Sequence, residues 1–269
     1  MAGTLALVVA HPDDDAYGVA GTVALYADHP DFRYVLIHAT DGGAGEIAPG
    51  FPATRETLGA IRREEDRRAW VALGRVPDRH EWLGYPDGQV AQAEDLTDRV
   101  AGILAQERPD VVGTFGPDGM TGHPDHIAVG AATDAAFHRF AGDGGPGFKR
   151  LLHGAMPESV FQRWNASRVR RGEPAWDPTE VYQLRGVPDD QIGMTVDVSS
   201  VADRIVAGLR EHRSQAHVIG STSDADWPAR SAASTTSSRG HRGSPASPMC
   251  SRVSADRSPQ LGRRRRLGL

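Results

Sequence analysis

Apolar and polar positions along the first two hundred residues predict strands that alternate with helices. Short apolar runs of roughly four to eight residues are typical of buried strands, whereas apolar residues spaced three or four apart form one face of a helix. The predicted strands are 4–10, 33–40, 80–83, 110–115, 151–156 and 194–198. The predicted helices are 16–28, 54–74, 96–106, 123–140, one that begins at residue 158, and 201–213.

The predicted helix over residues 54–74 shows the end signals most clearly. Thr54 is a residue type that caps a helix N-terminus, and Gly74 is a residue type that ends one. Leu58, Ile61 and Leu73 fall on one face, which we expect to meet the core. Because strands and helices alternate in this way along the chain, the sequence predicts an α/β fold. Its expected form is a Rossmann-like, open, mostly parallel sheet with helices on both faces.

The alternating pattern stops near residue 223, and Ser, Arg, Pro and Gly dominate from residue 229 onward. A segment without apolar periodicity cannot bury a core, so residues 227–269 are expected to be a disordered tail. Residues 1–226 are expected to form one domain. The four arginines 263–266 have two readings, a nucleic-acid or localisation signal or an uninformative tail.

Composition narrows the class of protein. The chain has 269 residues, 39% of them hydrophobic, and a formal net charge of −5. Nine arginines and a single aspartate lie in residues 228–269, so the body that precedes them is strongly acidic. An acidic body argues against nucleic-acid binding. One cysteine, Cys250, allows no intramolecular disulfide, and no signal peptide or membrane-length apolar run is recognisable, so we expect a cytoplasmic protein.

Two clusters of histidine and aspartate lie directly after predicted strands. Residues 11–15 read HPDDD after the first strand, and residues 123–126 read HPDH after the strand at 110–115. The carboxyl ends of parallel strands are where open α/β sheets bind ligands. Mixed nitrogen and oxygen donors with one open position are typical of a catalytic zinc site. The alternatives are helix-capping aspartates and surface histidines, although three acidic residues beside His-Pro exceed what a cap needs.

These motifs, together with IRREE at 61–65 and LGYPDG at 83–88, resemble the PIG-L/LmbE-like zinc deacetylases. The resemblance extends over roughly residues 4–217. It implies a Zn²⁺-dependent enzyme that removes acetyl groups from N-acetylglucosamine-type substrates, with another divalent metal left open. It also implies roles for single residues: His11, Asp14 and His126 as metal ligands, Asp13 as general base, and His123 as oxyanion contact or proton donor.

Three further residues are predicted to contact substrate. Arg62 has the spacing from Gly74 of a sugar-contacting arginine in the family, but it is equally read as part of a charged helix face. Asp87 lies in a Pro-Asp-Gly turn and binds sugar hydroxyls or merely shapes the turn. His212 lies in a segment similar to a C-terminal family motif and is a candidate second acid or water-positioning group.

Two other positions bear on the site. Asp15 stands where family members usually have Glu, which keeps the charge but shortens the side chain. His38, at the end of a buried strand, is expected to be a hydrogen-bonded core residue.

The sequence therefore predicts a hydrolase that frees an amino sugar and acetate. The alternative is a zinc amidase that acts on a thiol conjugate or another non-sugar amide, because it would use the same ligands. A non-catalytic metal- or glycan-binding protein is disfavoured, because the chain keeps Asp13 and every ligand. No phosphate-binding glycine motif is present. The expected partner is a small N-acetylated sugar or glycoconjugate, and the exact substrate and the oligomeric state stay open.

Overall fold

The computed structural model describes residues 3–219 and 236–240. The strands are β1 (Thr4–Val9), β2 (Arg33–His38), β3 (Arg79–Trp82), β4 (Val111–Phe115), β5 (Arg150–Pro157), β6 (Gly186–Val187), β7 (Met194–Val196) and β8 (Thr236–Gly240). The helices are α1 (Asp14–Gly18), α2 (Ala20–Leu25), α3 (Arg55–Leu73), α4 (Leu96–Glu107), α5 (Pro124–Phe140), α6 (Glu158–Arg170), α7 (Ala202–Leu209) and α8 (Ala216–Ile219).

One sheet organises the molecule, with strand order β3-β2-β1-β4-β5-β8-β7 and with β6 paired to β5. The neighbours from β3 to β5 all run parallel, whereas β8 runs antiparallel to both β5 and β7. The chain leaves β1 toward β2 on one side and later returns to its other side as β4. This reversal creates the crevice in which α/β sheets bind ligands. The predicted α/β class and mostly parallel sheet are confirmed.

The core lies around β1, β2 and β4. Consecutive residues of these strands are buried, which shows that both faces of the sheet are covered. Helix α3 packs against α7, and α4 packs against α5. The hydroxyl of Thr57 accepts the amide hydrogen of Thr54 (2.9 Å) at the start of α3, and Gly74 ends this helix with a φ of 84°. Both predicted ends of α3 are therefore confirmed.

Two predicted helices differ from the structure. The helix predicted over 16–28 is two short helices, because Val19 leaves helical geometry (φ −122°, ψ 1°) between α1 and α2. The helix predicted over 201–213 ends at Leu209, so His212 lies in the turn that follows it. Apolar spacing does not resolve a break of one residue, and this is why the pattern predicted longer helices.

The predicted tail lies largely outside the described residues. Its described part is β8, which the sequence did not predict. Thr236–Gly240 pairs with β5 from Leu152 to Ala155 and with β7 along its whole length. Strand pairing uses backbone groups, so a serine-rich segment can join a sheet without an apolar pattern. Within the two described stretches, no helix has both the length and the apolar character needed to span a membrane.

Candidate active site

The first motif forms a tight turn between β1 and α1. The amide of His11 donates to Asp14 Oδ2 (2.8 Å), which folds the aspartate back toward the strand end. Asp13, the predicted base, has a φ of 101° and a ψ of −31°. A residue with a side chain rarely adopts positive φ, and such strain concentrates at functional sites. The turn therefore holds Asp13 in a conformation that the surrounding contacts must maintain.

The three predicted metal ligands meet at one point. His11 Nδ1 lies 3.2 Å from His126 Nε2 and 3.2 Å from Asp14 Oδ2, and His126 Nε2 lies 3.3 Å from Asp14 Oδ1. His126 comes from the first turn of α5, after β4, and the other two residues come from the exit of β1. Pairing of β1 with β4 places these two strand exits side by side.

The hydrogen bonds of the two imidazoles fix their tautomers. His126 Nδ1 lies 2.9 Å from the carbonyl oxygen of Gly119, which only accepts, so Nδ1 carries the hydrogen. His11 Nε2 lies 3.0 Å from Asp87 Oδ1 and 3.3 Å from Asp125 Oδ2, so Nε2 carries the hydrogen there. In the neutral rings, His11 Nδ1 and His126 Nε2 therefore face each other with lone pairs. Two lone pairs at 3.2 Å repel each other unless a hydrogen or a cation lies between them, and a metal ion would meet that need at both rings.

The charges around this point agree with that requirement. Asp14, Asp87 and Asp125 all lie within 3.3 Å of His11. Burial opposes ionisation of Asp14, but His126 and His11 outweigh it and hold the pKa of this carboxyl well below its usual range. The residues thus offer two imidazole nitrogens and an ionised oxygen, which are donors that divalent zinc prefers. They fit a metal ion.

Asp13 lies beside the proposed ligands with restricted freedom. Its Oδ2 lies 3.3 Å from Arg62 Nη2, and its backbone amide donates to Asp15 Oδ1 (3.2 Å). Burial raises the pKa of Asp13 to about 7, and the guanidinium of Arg62 opposes that rise. A pKa near neutrality suits a group that must both accept and return a proton.

His123 has a different hydrogen-bonding state from the two histidine ligands. Its Nδ1 accepts the amide hydrogen of Asp125 (3.1 Å), so the hydrogen of the neutral ring is on Nε2. Burial and the neighbouring His11 and His126 lower its pKa to about 4. One ring nitrogen of His123 lies within 4.8 Å of a ring nitrogen of His11 and of His126. Because Nε2 carries a hydrogen, we interpret this ring as a hydrogen-bond donor rather than as a ligand.

Two residues that were predicted to contact substrate form hydrogen bonds within the protein. Arg62 is buried and donates to the carbonyl oxygens of Pro12 (2.6 Å) and Gly42 (2.9 Å) as well as to Asp13. Asp87 accepts the amide hydrogen of Ala44 (2.7 Å) in addition to its contact with His11. These contacts fix the turn that carries the base and the ring of a ligand. The contact of either residue with substrate stays a prediction.

His212 is buried within the protein. Its side chain is 1% exposed, and neither ring nitrogen has a hydrogen-bond partner. Its charged neighbours include Asp15, Arg62 and His38. The structure therefore buries this ring near Asp15 and Arg62, and its predicted substrate role is untested.

The structure also shows contacts in the site that the sequence did not predict. The carboxylate of Asp125, besides its contact with His11, accepts the amide hydrogens of Gly88 (2.8 Å) and Val90 (3.0 Å). It thereby fixes the loop that carries Asp87. Tyr182 contacts the ring of His123 edge-on, with ring centroids 5.0 Å apart. No sequence signal marks Tyr182, because it lies in an irregular loop.

Comparison with known proteins identifies the family. The model of the family described as GlcNAc-PI de-N-acetylase, PIG-L, matches residues 6–137. A 1D-myo-inositol 2-acetamido-2-deoxy-alpha-D-glucopyranoside deacetylase of Saccharopolyspora erythraea is 31% identical to this chain, and the match covers 78% of this chain and 77% of that protein. The chain belongs to the PIG-L family. The resemblance inferred from the four motifs is confirmed.

Solved structures agree with a PIG-L fold. A conserved protein of Thermus thermophilus superposes with a TM-score of 0.54 at 26% identity, over 81% of each chain. The N,N'-diacetylchitobiose deacetylase of Pyrococcus horikoshii superposes with a TM-score of 0.56 over 88% of this chain and 83% of that one. Its identity of 20% supports the fold only.

Proposed function

We propose that this PIG-L protein is a zinc-dependent N-deacetylase that acts on an N-acetylglucosamine-type amino sugar or glycoconjugate. The observation that carries the proposal is the meeting of His11 Nδ1, Asp14 and His126 Nε2 at 3.2–3.3 Å beside Asp13. The relative from Saccharopolyspora erythraea is named for an acetamido-glucopyranoside of inositol. A GlcNAc-inositol is therefore the first substrate to test.

His11, Asp14 and His126 would hold the metal ion. When bound, zinc supplies Lewis-acid polarisation of the amide carbonyl and lowers the pKa of water toward about 7. Asp87 and Asp125 would keep the His11 ring in the tautomer that leaves Nδ1 free, as their contacts with Nε2 indicate.

Asp13 would act as the general base. It takes a proton from the water molecule whose oxygen bonds to the amide carbon. When the carbon–nitrogen bond breaks, the same carboxyl returns the proton to the departing nitrogen, so the products are acetate and a free amine. Arg62 holds Oδ2 of Asp13, and the amide of Asp13 donates to Asp15, so the carboxylate keeps one direction during both transfers. A positioned base contributes about 10²–10⁴-fold to rate.

His123 would stabilise the oxyanion. Its ring donates from Nε2, because Nδ1 already accepts from the amide of Asp125. The ring stacks on His126 with an interplanar angle of 14° and centroids 4.7 Å apart, which fixes its plane. A preorganised donor of this kind is worth about 10²–10³-fold in kcat.

The test is release of acetate and of a primary amine from a panel of N-acetylated compounds. The panel contains a GlcNAc-inositol, N,N'-diacetylchitobiose, N-acetylglucosamine and an N-acetyl amino acid. We expect turnover of a sugar substrate that is lost on chelation and restored by zinc. Turnover of the amino acid amide without any sugar turnover would favour the alternative, a zinc amidase for non-sugar amides. No turnover by zinc-loaded protein on any member would refute the deacetylase proposal.

Two further features complete the proposal. With one cysteine in 269 residues, the chain needs no oxidising compartment, and we place the enzyme in the cytoplasm. The small-molecule substrate is its expected partner, and the acidic body gives no reason to propose binding to nucleic acid or to an anionic membrane.

A further inference from the structure

A second group of buried histidine and aspartate side chains lies behind the active-site turn. His38 ends β2, His80 lies in the neighbouring strand β3, and Asp66 projects from α3. His38 and Asp66 are fully buried, whereas the side chain of His80 is 21% exposed. None of the three is a proposed ligand or base of the active site. They form a separate cluster, which we call the rear cluster.

The three side chains of the rear cluster converge. His38 Nδ1 lies 2.9 Å from His80 Nε2. Asp66 Oδ1 lies 3.9 Å from His38 Nε2, and Asp66 Oδ2 lies 3.8 Å from His80 Nε2. One ligand atom from each residue can be chosen so that all three lie within 4.8 Å of one another. Two imidazole nitrogens at 2.9 Å must share either a hydrogen or a cation.

Polar atoms in the rear cluster lack partners. Both carboxylate oxygens of Asp66 and Nε2 of His38 have no hydrogen-bond partner. Leaving a buried polar group unpaired costs about 1–3 kcal/mol, and more for a charged group. An ion or a proton must therefore complete these groups in the folded protein.

The balance of charge indicates a cation. Asp15 Oδ1 lies 3.5 Å from His38 Nε2, so a second fully buried carboxylate adjoins the cluster. Within residues 3–219 and 236–240, neither Asp15 nor Asp66 forms an ion pair with an arginine or a lysine. Histidines are the basic side chains beside these two buried carboxylates, and a divalent ion would balance both carboxylates where a single shared hydrogen balances one.

We propose that His38, Asp66 and His80 bind a second divalent metal ion of the first transition series. Two imidazoles and one carboxylate match zinc and its neighbours in the series better than magnesium or calcium, which prefer oxygen donors only. The ion reaches the site past the partly exposed His80. Asp15 adjoins the bound ion, and its Oδ1 accepts the amide hydrogen of Asp13. The second ion therefore supports the turn that carries the base without contacting substrate.

The experiment counts metal ions in the full-length chain. The protein is stripped with a chelator, reloaded with zinc sulfate, separated from free metal and analysed for zinc per chain. We expect two zinc ions per chain in the wild type and one in each of His80→Gln and His126→Ala. The variant that combines these two substitutions should hold none. His29→Gln, a matched change of a histidine outside both clusters, should keep two.

The rear site does not depend on finding deacetylase activity. One zinc ion that persists in His126→Ala and disappears when His80→Gln is added supports the site even if no acetylated sugar is a substrate. One zinc ion in the wild type and none in His126→Ala would overturn the inference and assign the missing positive charge to a proton on the rear cluster.

A second readout serves if His80→Gln does not fold, as judged by circular dichroism. Cobalt(II) added to His126→Ala should give visible d–d absorption when it binds to the rear cluster. Adding Asp66→Asn to this variant should weaken the apparent affinity for cobalt at least tenfold. A spectrum of His126→Ala identical to that of free cobalt would also refute the site.

Discussion

Replacement of Asp87 tests whether this residue orients a metal ligand or binds sugar. Its Oδ1 lies 3.0 Å from His11 Nε2, and its Oδ2 accepts the amide hydrogen of Ala44 at 2.7 Å. Asparagine has nearly the same shape but only one acceptor oxygen. In Asp87→Asn, one of these two contacts must be lost, since the amide nitrogen cannot accept a hydrogen from either partner. We therefore expect the His11 ring to be held less firmly.

The magnitude follows from what remains in the variant. Removal of the group that orients a metal-binding histidine typically costs about 10–100-fold in metal affinity or activity. Asp125 Oδ2 still lies 3.3 Å from the same nitrogen, so His11 keeps one carboxylate partner. We therefore expect the lower end of that range, a loss of about tenfold in zinc affinity, or about 1.4 kcal/mol.

The assay is competition for zinc between each protein and a chromophoric chelator, followed by kinetics on zinc-saturated enzyme. Asp98→Asn serves as the matched control, because Asp98 is exposed and pairs only with Arg139 among the ion pairs of the described residues. If Asp87 orients His11, Asp87→Asn binds zinc about tenfold more weakly and saturating zinc restores most of kcat. Unchanged zinc affinity together with a raised KM would refute this reasoning and support the sugar contact that the sequence suggested.

Three further predictions test neighbouring parts of the molecule. Asp13→Asn should keep its zinc but lose about 10²–10⁴-fold in kcat, because an amide cannot accept the water proton; near-native kcat would exclude Asp13 as the base. His126→Ala should fold as the wild type does but lose active-site zinc by elemental analysis, and unchanged zinc content would remove His126 from the ligands. Burial lowers the pKa of His212 from 6.5 to about 4. Between these pH values the unfolded chain takes up a proton at His212 and the folded protein does not, so the free energy of unfolding falls as pH drops from 6.5 toward 4. We expect His212→Gln to reduce by about 2 kcal/mol the fall in unfolding free energy between pH 7 and pH 5, measured by urea unfolding with chelator present. The same fall in the variant and the wild type would contradict this.

The sheet was predictable because its central strands are buried on both faces. Burial on both faces produces continuous apolar runs such as those in β1 and β2, which are easily recognised between helical patterns. The break at Val19 and the strand Thr236–Gly240 were not predictable in the same way. A change of backbone dihedral angles at one residue leaves the apolar spacing intact. A strand that pairs on both sides, as Thr236–Gly240 does with β5 and β7, can be held by backbone hydrogen bonds without an apolar face.

The site was predictable where local geometry determines it. Asp14 lies three residues from His11 in one turn, and the pairing of β1 with β4 brings His126 to the same sheet edge. The contact of Asp87 with His11 was not predictable, because it depends on the conformation of two loops. A Pro-Asp-Gly turn is equally compatible with a sugar-binding and a turn-forming Asp87, and the observed contact with His11 is neither of these.

Asp15 connects the active site with the rear cluster. Its Oδ2 accepts the indole hydrogen of Trp70 at 2.6 Å, which anchors the carboxylate to α3 in the core. Its Oδ1 accepts the amide hydrogen of Asp13, whose φ of 101° is a conformation that costs about 1–3 kcal/mol and persists because neighbouring contacts maintain it. The same Oδ1 lies 3.5 Å from His38 Nε2. A change in the charge of the rear cluster therefore acts on the acceptor that holds the backbone of the base, although no atom of that cluster needs to touch the substrate.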